Sequence, residues 1–155
     1  MAETMKKTVK ESRTEQVQIL TQANINGYNR LFGGQLMEWI DVVAAVTARR
    51  HSGRNVTTAL VDTLTFKAPA HPNDTILICG KITYTGRTSM EVCVKSYVEE
   101  PDGTRRLINK AYLVMVALDE NEKPAEVPGL KLETEKERIE WEAARKRAER
   151  RKMTR

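Results

Sequence analysis

The chain has 155 residues, 40% hydrophobic and 30% charged, which fits one soluble globular domain. The formal net charge is +5, but residues 133–155 hold nine basic and six acidic residues, which leaves 17 basic and 15 acidic residues elsewhere. A body this close to neutral argues against a nucleic-acid partner. No run reaches the ~20 apolar residues of a membrane-spanning helix, so we expect a cytoplasmic protein with no membrane partner.

The N-terminal part of the chain is predicted to hold a flexible segment, a short strand and a loop. Residues 1–11 are polar and charged, and we expect them to be flexible. Residues 16–20 are a short strand candidate, and residues 24–34 are rich in Asn and Gly, which is typical of a loop. The folded domain is therefore expected to span residues 12–125.

A long helix is predicted over residues 34–51. Apolar side chains recur at helical spacing through Leu36, Ile40 and Val43, and apolar residues fill most of the remaining positions. A helix that is apolar nearly all round is expected to be buried, with other elements packed on several sides. Gly53 is suited to ending it.

The period of the apolar residues changes to two after this helix, which predicts strands. Strands are expected at residues 56–68, 75–84, 90–98 and 107–118, joined mostly by short turns. One helix followed by four long strands indicates the α+β class, with a mostly antiparallel sheet wrapped around the helix. Alternation in the first long strand predicts one face formed by Val56, Thr58, Leu60, Asp62, Leu64 and Phe66.

The last part of the chain, residues 126–155, is predicted to be a charged helical tail. It is rich in good helix formers, and its acidic residues precede most of its basic ones, which suits the helix dipole. A solvated helix or a helix that caps an oligomer is the plainer interpretation. Contact with the phosphates of a nucleotide-bearing ligand is the alternative.

Two glycines at the start of the long helix, Gly33 and Gly34, suggest a place where a carbonyl could be polarised. A helix N-terminus has unpaired N–H donors and a partial positive charge. Donors arranged in this way can stabilise a developing oxyanion. Tight packing of the preceding loop would equally explain the pair, so the pair alone is a weak signal.

Asp41 strengthens the prediction of an active site, because it is a carboxylate between Ile40 and Val42 in an apolar helix. Burial of an unpaired carboxylate is costly, so such a residue is often functional. Asp41 lies two turns after Gly34, about 10 Å along the axis. One carbonyl could not reach both within a chain, and we therefore expect a site shared by two subunits.

Four blocks of sequence resemble the hot-dog acyl-CoA thioesterases of the acyl-CoA hydrolase family, in its Gram-positive form. The first runs from Asn26 through Phe32-Gly33-Gly34-Gln35-Leu36-Met37 to Asp41. The others occupy residues 56–66, 86–92 and 111–119, in the family's order. Many members have glycine where this chain has Asn29, and Asn is the non-glycine residue that best tolerates the same left-handed backbone.

The resemblance implies a fold, an activity and an assembly. It implies a long helix wrapped by a five-stranded antiparallel sheet, dimers joined edge to edge, and further assembly into a trimer of dimers. The implied reaction is hydrolysis of fatty acyl-CoA, with coenzyme A as part of substrate and product and no other cofactor. Asn26 and Asp41 of opposite subunits would carry catalysis, with Gly33 and Gly34 polarising the thioester carbonyl.

Further residues are candidates for substrate binding, and each has a plainer explanation. Phe32 lies in the signature loop, and the turn of Arg87, Thr88 and Ser89 offers cationic and hydroxyl groups to a phosphate. Other candidates on the first long strand are Thr57 and Asp62, which could equally be structural.

Two other functions on this fold are alternatives to thioester hydrolysis. A hydratase on this fold uses an Asp–His pair, but residues 1–50 contain no histidine. A non-catalytic acyl-CoA sensor remains an alternative. No metal is expected, because Cys79 and Cys93 lie in separate apolar runs without the spacing of zinc ligands.

Overall fold

The computed structural model describes residues 5–154. The elements in chain order are β1 (Lys6–Thr8), α1 (Val9–Ser12), β2 (Thr14–Ile19), a 3₁₀ turn (Gln22–Asn24), α2 (Gly33–Ser52), β3 (Asn55–Phe66), β4 (Thr75–Thr85), β5 (Ser89–Glu99), β6 (Arg105–Leu118), β7 (Gly129–Lys131) and α3 (Glu135–Met153). The two long helices and the five strands predicted from sequence are all present.

The main sheet has five strands in the order β2-β4-β5-β6-β3, and every neighbouring pair is antiparallel. One face of this sheet, called here the inner face, packs against α2. The core between them is mainly aliphatic and includes Leu36, Ile40, Val43, Ile78 and Val94. These features confirm the predicted α+β class and the long helix wrapped by a five-stranded antiparallel sheet.

Helix α2 is buried on one side only. Leu36, Ile40, Val43 and Ala44 are buried, whereas Met37 is 44% exposed and Val42 is 50% exposed. Burial on all sides, expected from composition, is therefore wrong for a single chain, and Asp41 is exposed rather than enclosed. The helix ends at Gly53, which has a left-handed φ of 69° and donates its N–H to the Arg49 carbonyl.

The N-terminal segment differs from the flexible segment expected over residues 1–11. Strand β1 pairs in parallel with β7, and Thr8 caps α1 through a hydrogen bond from the Glu11 N–H. Val9 packs into the core at 2% exposure. The partner strand β7 lies more than 100 residues away, so local composition did not reveal this pairing. Residues 1–4 lie outside the described residues.

Strand β3 contains two bulges that change which side chains share a face. The register against β6 shifts between Thr58 and Leu60 and again between Val61 and Thr63. Each extra residue reverses the alternation. Thr58 and Val61 lie opposite Met115 and Leu113, which are buried in the core. The predicted single face was therefore wrong for Leu60 and Asp62, since a strict two-residue period cannot anticipate a bulge.

Helix α3 lies against the other, outer face of the sheet rather than in solvent. Ala144 is fully buried, and the ring of Trp141 lies 5.2 Å from that of Tyr84 on β4. Lys81 on β4 pairs with Glu140 at 2.6 Å. This helix confirms the helical part of the predicted tail and corrects the expectation that it is simply solvated. Among residues 5–154, no helix is long and apolar enough to cross a membrane.

Candidate active site

The start of α2 presents backbone donors that no other group uses. The N-cap residue, Phe32, provides no side-chain acceptor. The N–H groups of Gln35 and Leu36 donate to the Phe32 carbonyl at 3.0 and 3.2 Å. Within residues 5–154, the N–H groups of Gly33 and Gly34 have no recorded acceptor. They are therefore available to a ligand oxygen.

Gly34 also has a packing requirement. A Cβ atom added there would lie 2.7 Å from Cε2 of the Phe32 ring, which folds over the helix start. A Cβ atom on Gly33 would lie 3.5 Å from Cζ of Phe66. Phe32 and Phe66 thus flank the two open N–H groups with aromatic surface.

Asn26 organises the loop that leads to this helix. Its Oδ1 accepts the N–H groups of Tyr28 at 2.9 Å and Arg30 at 3.2 Å. Its own N–H donates to the Arg30 carbonyl at 2.8 Å, and Asn29 takes the left-handed conformation with φ of 60°. The tolerance predicted for Asn29 is confirmed. The Nδ2 donors of Asn26 have no recorded partner in the described part of the chain, so they can serve a ligand.

Asp41 is held by a hydroxyl from the sheet. Thr58 on β3 donates its hydroxyl to Asp41 Oδ1 at 2.7 Å. Both residues line a cavity of about 380 Å³ whose other walls are mainly apolar: Gly34, Met37, Glu38, Ile40, Val61, Leu64 and Leu113. A carboxylate beside an apolar, solvent-connected cavity is suited to act on a substrate with an alkyl chain.

Asn26 and Asp41 do not meet within one chain. Asn26, Gly33 and Phe66 line a separate cavity of about 370 Å³, which does not include Asp41. Gly34 lines the Asp41 cavity, and Gly33 lines the Asn26 cavity. One chain therefore contains two separate cavities at the helix start, one lined by Gly33 and the other by Gly34.

The substrate-binding candidates on β3 separate into different positions. Thr57 is exposed and lies opposite Val116 on the outer side of the sheet, so Thr58, rather than Thr57, meets Asp41. Asp62 accepts a hydrogen bond from Arg151 Nε at 2.9 Å and lies away from the Asp41 cavity. The sequence prediction named Thr57 as the binding candidate, and the structure brings its neighbour Thr58 to Asp41 instead.

The candidate phosphate-binding turn joins β4 to β5. Gly86 donates its N–H to the Ser89 carbonyl at 2.8 Å, and the carbonyls of Arg87 and Thr88 accept the N–H groups of Val127 and Ala117 at 3.0 Å each. These bonds fix the turn's backbone. Within residues 5–154, the Arg87 guanidinium has no recorded ion pair.

A third cavity, about 610 Å³ in volume, shares no lining residue with the Asp41 cavity or the Asn26 cavity. Cationic side chains and both cysteines line it, including Arg13, Lys95 and Lys136. Burial, with a smaller contribution from nearby Glu15, raises the pKa of the Cys79 thiol to about 11. Both cysteines are free thiols, and such a thiol is a poor nucleophile at neutral pH. Among the described residues, no group of three metal-ligating side chains is found.

Comparison with known proteins identifies the fold family. The thioesterase superfamily model matches residues 28–104. The uncharacterized acyl-CoA thioester hydrolase YkhA of Bacillus subtilis is 38% identical over 92% of this chain and 84% of its own length. A hexameric acyl-CoA thioesterase in its apo form superposes with a TM-score of 0.93, at 38% identity over 97% of each chain.

The acyl-CoA hydrolase of Staphylococcus aureus, solved in complex with butyryl coenzyme A and coenzyme A, superposes with a TM-score of 0.91. Its sequence is 34% identical over 96% of this chain and 91% of that one. Variants of the same enzyme with an aspartate, an asparagine or a threonine replaced by alanine have also been characterised. The chain described here therefore belongs to the thioesterase superfamily, as a thioester hydrolase of the hot-dog acyl-CoA thioesterase type.

Proposed function

We propose that this protein hydrolyses fatty acyl-CoA to a free fatty acid and coenzyme A at an active site completed by two subunits. The observation that carries this proposal is the Asp41 carboxylate, fixed by Thr58 beside an apolar cavity whose rim is the start of α2. A carboxylate, open N–H donors and an apolar cavity are the parts needed to cleave a thioester with an alkyl chain.

The geometry of β3 supports a site shared between chains. This strand is at the edge of the sheet, and its apolar residues Leu60, Val61 and Phe66 are between 42% and 53% exposed. An exposed apolar edge is suited to pairing with a second copy. Antiparallel pairing of two β3 strands would bring the Thr58 end of one chain beside the Phe66 end of its partner. Asp41 of one subunit would then face Asn26 and Gly33 of the other.

The start of α2 would polarise the substrate carbonyl. With the thioester oxygen at the N–H groups of Gly33 or Gly34, negative charge that develops on this oxygen meets donors and the positive end of a helix dipole. Asn26 would add its Nδ2 donors to the carbonyl or to the attacking water. Removal of one such donor typically costs about 10²–10³ in rate.

Asp41 would act as general base or as nucleophile. As base, it takes a proton from water while the water oxygen bonds to the carbonyl carbon; the carbon–sulfur bond then breaks, and the proton passes to the departing thiolate. As nucleophile, it attacks the carbonyl carbon itself, and the carbon–sulfur bond breaks to release coenzyme A as a thiolate. Water then hydrolyses the anhydride to the fatty acid and the free Asp41 carboxylate, and the proton released from water passes to the thiolate. In either case the Thr58 hydroxyl holds Oδ1 and leaves Oδ2 to react.

Thr58 therefore joins Asn26 and Asp41 in the proposed machinery. Aspartate, asparagine and threonine are also the residue types replaced in the characterised Staphylococcus aureus variants. Phe32 would cover the carbonyl end of the substrate, because its ring lies over Gly34.

Coenzyme A would extend toward the turn between β4 and β5. Ser89 and Thr57 lie in one row across the sheet, each paired with Val116, so this turn is at the Thr58 end of β3. Arg87, Thr88 and Ser89 would contact the phosphates, with Arg87 supplying the positive charge. We propose coenzyme A as substrate and product only, with no further cofactor or metal.

We propose a homodimer assembled further into a trimer of dimers, because structural neighbours of this chain include hexameric thioesterases. The division into a hot-dog domain over residues 12–125 and a tail over 126–155 also stays a proposal. A cytoplasmic location without nucleic-acid or membrane partners stays a prediction from sequence.

The first test is release of thiol from acyl-CoAs that range from acetyl to palmitoyl. We expect turnover that depends on chain length, and a loss of at least about 10²-fold in kcat for Asp41→Asn. Glu142→Gln, an exposed carboxylate on α3 that lines neither cavity, is the control and should retain turnover. Acyl-CoA binding without hydrolysis by the wild-type protein would favour a sensor, and more than a tenth of normal kcat in Asp41→Asn would remove Asp41 from its role.

Mixing two inactive variants tests whether the site is shared. Subunits with Asn26→Ala and subunits with Asp41→Ala, denatured and refolded together, should form mixed dimers in which one of the two sites is intact. Random pairing predicts recovery of about a quarter of wild-type turnover. Equal oligomer yield without recovery would show that each site lies within one chain.

A further inference from the structure

We infer that Arg151 of α3 is a positioning residue for thioester hydrolysis, because it holds the bulged part of β3 that forms a wall of the Asp41 cavity. This inference rests on the proposed function. It gives the C-terminal helix a part in the reaction although none of its residues line the Asp41 cavity or the Asn26 cavity.

The anchor of this arrangement is Glu91, a carboxylate on β5 that is only 2% exposed. Its oxygens accept hydrogen bonds from the Thr83 hydroxyl at 2.5 Å and from Arg147 Nε and Nη2 at 3.0 and 2.8 Å. Arg151 donates to Glu91 through Nη2. A buried carboxylate with its oxygens fully used by two guanidinium groups and a hydroxyl has little freedom to move.

Arg151 connects this fixed point to β3. The same guanidinium that bonds Glu91 donates from Nε to Asp62 Oδ2 at 2.9 Å. Asp62 lies within the second bulge of β3, between Val61 and Thr63. A bulge leaves its extra residue without a partner in the strand ladder, so an external tie has more influence there than elsewhere in a sheet.

The residues flanking Asp62 form the wall in question. Val61 and Leu64 line the Asp41 cavity together with Thr58, which donates to Asp41. Asp62 itself is tied on the outer side of the sheet. Its position therefore sets how far the segment from Thr58 to Leu64 projects toward α2 and the acyl chain.

Arg147 provides a matched comparison within the same helix. It also bonds Glu91, and its guanidinium lies 3.8 Å from the centre of the Tyr112 ring, but no contact joins it to Asp62. Loss of either arginine leaves Glu91 with one guanidinium partner. Only loss of Arg151 also releases β3.

The test compares Arg151→Gln with Arg147→Gln in the full-length oligomer. We expect similar losses in thermal stability, since each variant removes one partner of Glu91. We expect kcat on the preferred acyl-CoA to fall about tenfold in Arg151→Gln alone, with KM within about twofold and a flatter dependence on chain length, because small misplacements of reacting groups are costly. Arg151→Lys, which keeps the charge, should recover part of the loss.

Asp62→Asn is the second variant, and it leaves both arginines on Glu91. It should reproduce the kinetic defect, and the double variant Arg151→Gln/Asp62→Asn should be no slower than the slower single variant. If Arg151→Gln does not fold, the Asp62→Asn kinetics decide. A wild-type protein without activity would overturn the proposed function and this inference together, whereas an active enzyme with unchanged kcat in Arg151→Gln or Asp62→Asn would overturn the inference alone.

Discussion

The two faces of the main sheet hold their helices by different forces. On the inner face, α2 packs through aliphatic side chains such as Leu36, Ile40 and Val43, and almost no charge is involved. On the outer face, α3 buries only Ala144 completely. Apart from the packing of Trp141 on Tyr84, it is held by polar contacts with Glu91 and Asp62 and by the pair of Lys81 with Glu140.

This difference shows how one face of a sheet can fix a helix rigidly while the other face sets the positions of individual atoms. Apolar packing is non-directional and depends on volume, so it fixes α2, the helix that carries Asp41. Charged hydrogen bonds depend on direction and on both partners being present. On the outer face, these bonds hold particular atoms of β5 and β3 in place. The two faces should therefore respond differently to substitution.

The largest effect on stability is expected from loss of the outer-face anchor. Glu91→Gln keeps the shape of the side chain but leaves Arg147 and Arg151 without their common carboxylate, and breaking a buried ion pair costs about 3–5 kcal/mol. Because both guanidinium groups retain some exposure, we expect a fall near the lower end of this range in the free energy of unfolding, measured by urea denaturation. Glu142→Gln, on the exposed side of α3, is the control, and equal midpoints for the two variants would contradict the comparison.

A smaller effect is expected from overfilling the inner face. A Cβ atom on Gly80 would lie 2.7 Å from Thr47 Oγ1 and 2.8 Å from Val43 Cγ1 of α2. Gly80→Ala should therefore destabilise the fold by about 1–3 kcal/mol, as overpacking does. Thermal unfolding checks this, with Gly27→Ala as control because nothing lies within 4 Å of a Cβ atom there. Unchanged stability would mean that α2 can move away from the sheet freely.

The smallest expected effect on stability is its dependence on pH. It arises from His51, an ionisable side chain that is buried at the end of α2. His51 Nε2–H donates to the Pro128 carbonyl at 2.8 Å, and desolvation lowers the pKa of His51 below its ordinary 6.5 even though this bond acts in the opposite direction. The charge of Lys7 lowers this pKa further, and the charge of Glu11 raises it.

The unfolded chain binds a proton to His51 at a higher pH than the folded one does. Stability should therefore fall as the pH drops from about 6.5 toward the lower folded pKa, by at most about 1.4 kcal/mol per pH unit. Urea midpoints measured between pH 5 and pH 8 check this. We expect His51→Gln to flatten the slope, with His71→Gln as the control for loss of a histidine, and an unaltered slope in His51→Gln would contradict the assignment.

The sequence allowed prediction of the elements whose signal is local. The period of 3.6 located α2, the period of two located the strands, and Asn29 and Gly53 matched their left-handed positions. The features that were missed depend on contacts between distant parts of the chain. Pairing of β1 with β7 and docking of α3 on Glu91 are of this kind.

The candidate site shows the same division. The sequence showed a glycine pair at a helix start, Gly33 and Gly34, and a carboxylate in an apolar helix, Asp41. The position of Thr58, rather than Thr57, next to Asp41 depends on the register of β3 against β6. The bulges that move Leu60 and Asp62 off the predicted face follow from that registration, and no property of the β3 sequence alone encodes them.

The uncapped start of α2 limits how this protein could be stabilised by engineering. Phe32 occupies the N-cap position, where Ser, Thr, Asp or Asn would ordinarily add about 1 kcal/mol by bonding the first free N–H groups. A search for thermostability that optimises helix caps would select that exchange. The gain would occupy the donors proposed to receive the thioester oxygen, so heat resistance and turnover are in competition at this one residue.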